Sequence, residues 1–260
     1  MNIKINKKLE TPKILAALFD LDGTLLNSKE EIPKNIIEKI GLIKKHIPVS
    51  IISGRIFSSV VDYSNLLGLN SLQISDNGAI IFDPMNNNKI IFSKSLNAVV
   101  AESVFKLLDN NNFEYFASAN GQTMDHSMKN KPIDNVNIIT CFYDDVKKFI
   151  KDNKIIETNK TTLIHSSGSM GEEYISFMPI DVHKGVAVNE YSKILKINKS
   201  DIFAIGDGMN DIEMLKESGV SVAMGNSVKE VFDVSKYSTG KYTDNGTEEV
   251  LDWILRGLVS

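Results

Sequence analysis

Two short apolar runs, far apart in the chain, end in the same way. Ile14 to Phe19 reads ILAALF and stops at Asp20-Leu21-Asp22-Gly23, and the run Asp201 to Ile205 stops at Gly206-Asp207-Gly208-Met209-Asn210-Asp211. A short apolar stretch bounded by turn residues is the pattern of a buried strand that delivers polar residues at its C-terminal end. In parallel sheets covered by helices, ligand groups collect at those carboxyl ends. The pattern predicts that residues near 20, 53 and 207 converge on one crevice.

Between the two runs the alternation continues. Ile36, Ile37, Ile40 and Ile43 recur at helical spacing within Pro33–Lys45, and Ile47–Ile52 reads as a strand ending in Ser53-Gly54-Arg55, which completes a β-α-β unit. A helix over Ser58–Leu67, a strand at Leu72–Ser75 and a hairpin-like pair at Ala79–Phe82 and Lys89–Phe92 follow. Residues 97–180 change character: helix at Ala98–Leu108, strand at Phe113–Ser118, a polar stretch, helix at Asp144–Lys151, and strands at Thr161–His165 and Glu173–Met178. From Lys184 the parallel pattern resumes with helices at Lys184–Leu195, Ile212–Ser218, Ser227–Val234 and Glu248–Leu258 and a strand at Val220–Met224. The expected class is α/β, a Rossmann-like parallel sheet formed by residues 1–96 and 181–260, with 97–180 as an inserted α+β domain. Residues 1–12 read as an extra, partly frayed segment, and Asn86–Asn88 and Asn110–Asn112 as loop or helix-end asparagines.

The 260 residues carry a formal net charge of −4 and no block of like charge, which argues against a nucleic-acid footprint. No run approaches the ~18 apolar residues of a membrane span, the N-terminus lacks a sustained apolar segment, and Cys141 is the only cysteine. These features point to a cytoplasmic protein without disulfides, and nothing implies a protein partner. Cys141, beside Phe142, reads as packed rather than reactive, and the four histidines show no ligand spacing.

The chemistry lies in the carboxylates. Asp20 and Asp22 are two apart at a strand end, so an extended backbone directs both to one side, and Asp207 and Asp211 add two more. Two unit charges ~4 Å apart repel by roughly 4 kcal/mol at an effective dielectric of about 20. A hard divalent cation relieves that repulsion, and magnesium suits an oxygen-only donor set. Either motif alone is as readily a pair of Asx turns; their joint occurrence at two strand ends is not.

FDLDGTLL (Phe19–Leu26), ISGR (Ile52–Arg55), Lys184 in VHKG, and GDGMND (Gly206–Asp211) together resemble, in order, the four motifs of haloacid dehalogenase-like hydrolases. The insert between the second and third, preceded by SDNGAII (Ser75–Ile81), is similar to the C2-type cap of the Cof-like subfamily IIB. The resemblance implies an Mg-dependent phosphatase in which Asp20 attacks phosphorus and forms an aspartyl-phosphate, while Asp22 protonates the leaving oxygen and later activates water. It further implies phosphate contacts from the Leu21 and Gly54 amides, Ser53, Lys184 and Asn210. Magnesium would be held by Asp20, by the backbone carbonyl of Asp22, by Asp207 and, in the first or an outer shell, by Asp211. The implied substrate is a small phosphorylated metabolite, such as a sugar phosphate or phosphorylated cofactor.

Two other functions stay open at this point. A phosphomutase must hold a second phosphate, for which arginine is well suited, and 97–180 contains no arginine. A silent binding protein of the same fold would have lost a nucleophile or ligand, and all of the motif residues are present. Arg55 either closes a salt bridge or approaches substrate. Asn120-Gly121, Met124, Asp125 and the Ser166–Gly171 stretch either face the crevice or form turns.

Overall fold

The computed structural model describes residues 2–128, 131–151, 160–168 and 171–259. In chain order, the first part comprises β1 (Ile3–Lys4), β2 (Ala16–Phe19), α1 (Lys34–Ile43), β3 (Val49–Ile51), α2 (Phe57–Leu66), β4 (Gln73–Ser75), β5 (Ile80–Asp83) and β6 (Lys89–Ser93). Then come α3 (Ala98–Asn110), β7 (Tyr115–Ala119), β8 (Gln122–Asp125), β9 (Val136–Phe142), α4 (Tyr143–Lys151), β10 (Thr161–Ser167) and β11 (Glu173–Pro179). The chain finishes with α5 (Lys184–Leu195), β12 (Ile202–Gly206), α6 (Ile212–Glu217), β13 (Val220–Ala223), α7 (Lys229–Val234), β14 (Tyr237–Ser238) and α8 (Gly246–Val259).

A six-stranded parallel sheet in the order β1-β14-β13-β12-β2-β3 forms the core. Its central strands β2, β3, β12 and β13 are buried on both faces because alternate residues serve two apolar layers, while β1 at the edge is exposed. Ala17, Phe19, Phe203 and Ile205 pack with Ile36, Ile40 and Ile43 of α1 and Val250, Leu251 and Trp253 of α8. Ala16, Leu18, Ile202 and Ala204 pack on the other side with Ala187, Val188 and Tyr191 of α5 and Met214 and Leu215 of α6. The register pairs Phe19 with Ile205 and with Ile51, so β2, β12 and β3 all end at the same edge of the sheet. An isolated parallel bridge between Ile52 and Ile74 links β3 to a small antiparallel sheet, β4-β5-β6.

The intervening segment forms a five-stranded antiparallel sheet, β10-β11-β9-β7-β8. One face of it packs on α3 and α4 through residues such as Ile175, Phe177 and Cys141. The opposite face carries Ile138, Ile164 and Met178, which form a small apolar cluster with Ala79, Val182 and Ile56. The insert therefore lies over the carboxyl edge of the core sheet, as an α+β cap on an α/β core. No described helix is long and apolar enough to cross a membrane.

Three expectations need correction. The polar stretch after Ser118 contains two strands, β8 and β9, and β9 is the middle strand of the cap sheet. Its sequence, VNIITCF, is rich in β-branched residues, but the polar and glycine-bearing residues before it masked that signal. The N-terminal segment is tied down rather than frayed: β1 pairs with β14, Ile5 is fully buried, Thr11 Oγ1 donates to Trp253 O, and Trp253 Nε1 donates to Leu9 O. Several helix and strand ends also shift by one or two residues, as element ends usually do.

Candidate active site

Asp20 directly follows β2 and its amide donates to Ile205 O of β12 at 3.1 Å, so the pairing of the two strands fixes it beside the start of the GDGMND segment. Gly23 then turns the chain at φ 67°, and a Cβ there would lie 2.1 Å from Asp207 Oδ2. Only glycine permits this approach. Asp211 sits in a single helical turn after β12 and its Oδ2 accepts from the amides of Asp207 and Gly208, both at 3.0 Å.

Lys184 opens α5 and is completely buried. Its Nζ lies 2.6 Å from Asp20 Oδ1 and 2.6 Å from Asp211 Oδ1. Burial disfavours the lysine's charge, but Asp20 and Asp211 outweigh it and the ammonium is held more firmly protonated than usual. Among the described residues, Asp20, Asp207 and Asp211 bring one ligand oxygen each within 4.8 Å of the others. Asp207 is pushed up to about 7, first by burial and then by Asp211. Burial and Asp211 likewise raise Asp20 well above the usual carboxylate range, against the pull of Lys184. One lysine does not balance three clustered carboxylates, two of them buried and Asp207 half-buried. An oxygen-only cluster with this surplus of negative charge fits a hard divalent cation.

Asp22 is turned away from the triad. Arg55 donates from Nε to its Oδ2 at 3.0 Å and from Nη2 to its Oδ1 at 2.7 Å, and Nη2 also reaches Glu30 Oε1 at 2.6 Å. Tyr63 supports the arginine with its ring, 5.6 Å from the guanidinium carbon, and donates from its hydroxyl to Glu30 O. Arg55 thus closes a salt bridge at the rim of the crevice. From the cap, Tyr174 stacks on Phe142 and lies near enough to Glu30, Arg55 and Asp22 to feel their charges, with burial the main influence raising its phenol.

Ser53 is fully buried and its Oγ accepts from the Arg55 amide at 3.1 Å. A Cβ on Gly54 would lie 3.3 Å from Asn210 Nδ2, which places the ISGR segment against the GDGMND segment. The Leu21 side chain is buried in the core. All four motif segments therefore meet at the edge where β2, β3 and β12 end. Asn120 at φ 49° occupies a β7–β8 turn, Met124 packs in the cap core, and Asp125 receives hydrogen bonds from Ser127. Of the Ser166–Gly171 stretch, residues 169 and 170 lie outside the described residues. Cys141 is buried, with its thiol pushed up to about 12 by burial.

One member of this constellation escaped the sequence reading. Asn226, after β13, donates from Nδ2 to Asp207 Oδ2 at 2.7 Å and to Gly23 O at 3.0 Å, so it orients the carboxylate and braces the turn. Its only signal was position, at the end of another strand of the parallel sheet.

Carboxylates gathered at one edge of a parallel sheet, beneath an inserted sheet that covers them, define a capped α/β hydrolase. The chain belongs to the haloacid dehalogenase-like hydrolases, a family that matches residues 17–251, and it is a phosphatase among them. It is similar to a phosphoglycolate phosphatase of Saccharolobus solfataricus, 28% identical over 251 residues that cover 94% of this chain and 97% of the other. A 5-amino-6-(5-phospho-D-ribitylamino)uracil phosphatase of Bacillus subtilis is 26% identical, covering 91% and 94%. A structure described as a subclass IIB sugar phosphatase of the superfamily shares the fold at a TM-score of 0.74 and 17% identity, covering 91% of this chain and 97% of that one.

Proposed function

We propose that this phosphatase is magnesium-dependent and hydrolyses phosphate monoesters of small metabolites through an aspartyl-phosphate on Asp20. The observation that carries the reading is the triad of Asp20, Asp207 and Asp211, the first and last buried and Asp207 half-buried, with Lys184 Nζ 2.6 Å from Asp20 and Asp211. Residues 1–96 and 181–260 act as the catalytic core and 97–180 as the cap.

Asp20 attacks phosphorus, and the bond from phosphorus to the ester oxygen breaks. Asp22 gives its proton to the departing oxygen, then takes one from the water that attacks the acyl-phosphate. Inorganic phosphate leaves and Asp20 regains its carboxylate. Lys184 supplies fixed positive charge beside the nucleophile, and Ser53, Asn210 and the amides of Leu21 and Gly54 hold the phosphoryl oxygens. Asp20, Asp207, Asp211 and the carbonyl of Asp22 would hold magnesium, which supplies further charge to draw phosphate and nucleophile together. Because both oxygens of Asp22 accept from Arg55, one of these bonds must be released before Asp22 can carry a proton.

Substrate selection falls to the cap face that carries Tyr174 and Phe142, stacked with ring centroids 5.1 Å apart and able to line a pocket for a sugar or a planar ring. Sugar phosphates and phosphorylated cofactors are the substrate classes proposed. A panel of phosphorylated metabolites, including a doubly phosphorylated sugar, assayed with and without magnesium, tests this reading. Magnesium-dependent phosphate release is expected; isomerised product without release would assign a mutase instead.

A further inference from the structure

Asn77, in the turn after β4, stands in an unusual position. It is completely buried, and its backbone lies in the left-handed region at φ 49°. Its amide donates to Ser53 O at 3.0 Å, and its Oδ1 accepts from Asn210 Nδ2 at 3.1 Å. Its own Nδ2 is buried without a hydrogen-bond partner among the described residues. A left-handed asparagine is tolerated in turns, because its short side chain usually bonds to nearby backbone. Here the side chain does not serve its own turn. It reaches the segment after β12 and leaves a donor unsatisfied, which costs free energy in a buried place.

The donor's direction gives the reason. The Cβ that Gly54 lacks would lie 3.0 Å from Asn77 Oδ1, 3.2 Å from Asn77 Nδ2 and 3.3 Å from Asn210 Nδ2. Two carboxamides therefore border the space above Gly54, where the ISGR and GDGMND segments meet. With Oδ1 fixed as the acceptor for one hydrogen of Asn210, the second hydrogen of Asn210 and both hydrogens of Asn77 remain available to an anion. Resting on the phosphatase reading above, we propose that Asn77 is a phosphate-binding residue: its Nδ2 donates to an oxygen of the substrate's phosphoryl group while its Oδ1 positions Asn210 to do the same.

The deciding readout, phosphate binding, does not depend on turnover. Inorganic phosphate is titrated calorimetrically into the magnesium-supplemented wild type, Asn77→Gly and Asn77→Asp. Glycine keeps the left-handed backbone and removes the carboxamide; aspartate keeps the shape and the acceptor but replaces the donor with a negative charge. Phosphate affinity should fall on the order of tenfold in Asn77→Gly and further in Asn77→Asp, and kcat/KM on the order of a hundredfold. The magnesium concentration for half-maximal activity should stay unchanged. Phosphate affinities within about twofold of wild type, or no phosphate binding by wild type, would overturn the assignment. Absence of turnover in a wild type that binds phosphate in an Asn77-dependent way would instead remove the phosphatase reading and leave the site standing.

Discussion

Lys184 shows how much of this site rests on single side chains. A fully buried ammonium between two carboxylates is costly to desolvate, and removing it leaves uncompensated negative charge. Lys184→Met should therefore abolish turnover and also destabilise the fold by about 3 kcal/mol or more. Thermal melts should show a clear drop, part of which magnesium restores; an unchanged melting temperature would contradict the buried pairing of Lys184 with Asp20 and Asp211. Asp20, Asp207 and Lys184 were legible because short apolar runs and ordered motifs framed them. Asn226 was not, since its role depends on where β13 ends, which a lone asparagine does not announce. The direction of Arg55 was equally hidden: the choice between core salt bridge and substrate contact is a matter of side-chain geometry.

At the scale of elements, the turn after β4 ties core to cap. The Asp76 carboxylate is fully buried; it accepts from Ser75 Oγ at 2.5 Å, from Ser118 Oγ of cap strand β7 at 2.6 Å, and from the Phe57 amide at the start of α2. Burial raises it to about 6, against the pull of those three donors. Because the folded protein holds this proton more tightly than the unfolded chain, the group's favourable contribution is complete below the ordinary carboxylate range. That contribution is lost as pH rises through about 6. Asp76→Asn should thus gain stability relative to wild type between pH 4 and 7, by up to roughly 3 kcal/mol. Paired melting curves across that range check it; a constant difference between the two proteins would contradict it.

The turn after β2 makes a separate demand. With φ 67° and Asp207 Oδ2 2.1 Å from the added Cβ, Gly23→Ala should displace Asp207 or the turn and lower kcat/KM by at least about a hundredfold. Wild-type activity in that variant would contradict the described geometry. The central core strands β2, β3, β12 and β13 were readable because both their faces are buried, and the helices beside them keep one apolar stripe; the short, less buried β1 and β14 gave no such signal. The cap was less so: β8 has only one buried residue, Met124, and β9 follows a polar stretch, so its place at the middle of the sheet depends on pairings with β7 and β11 that no local pattern encodes.

For the whole molecule, the proposed cation links folding to function. A ligand that binds only the folded state stabilises it by about 2.7 kcal/mol at a hundred times its dissociation constant. Magnesium should raise the melting temperature of the wild type, and Asp207→Asn should lose most of that rise together with activity. Thermal melts with and without magnesium measure this; an equal rise in both proteins would place the ion elsewhere. The most direct measurement is to quench the enzyme during turnover, reduce with borohydride and map the peptides by mass spectrometry. An aspartyl-phosphate on Asp20 would be reduced to homoserine, so homoserine at position 20, dependent on substrate and absent from Asp20→Asn, is the expected result. Steady turnover without modification of Asp20, or with the label on another residue, would contradict covalent catalysis by Asp20.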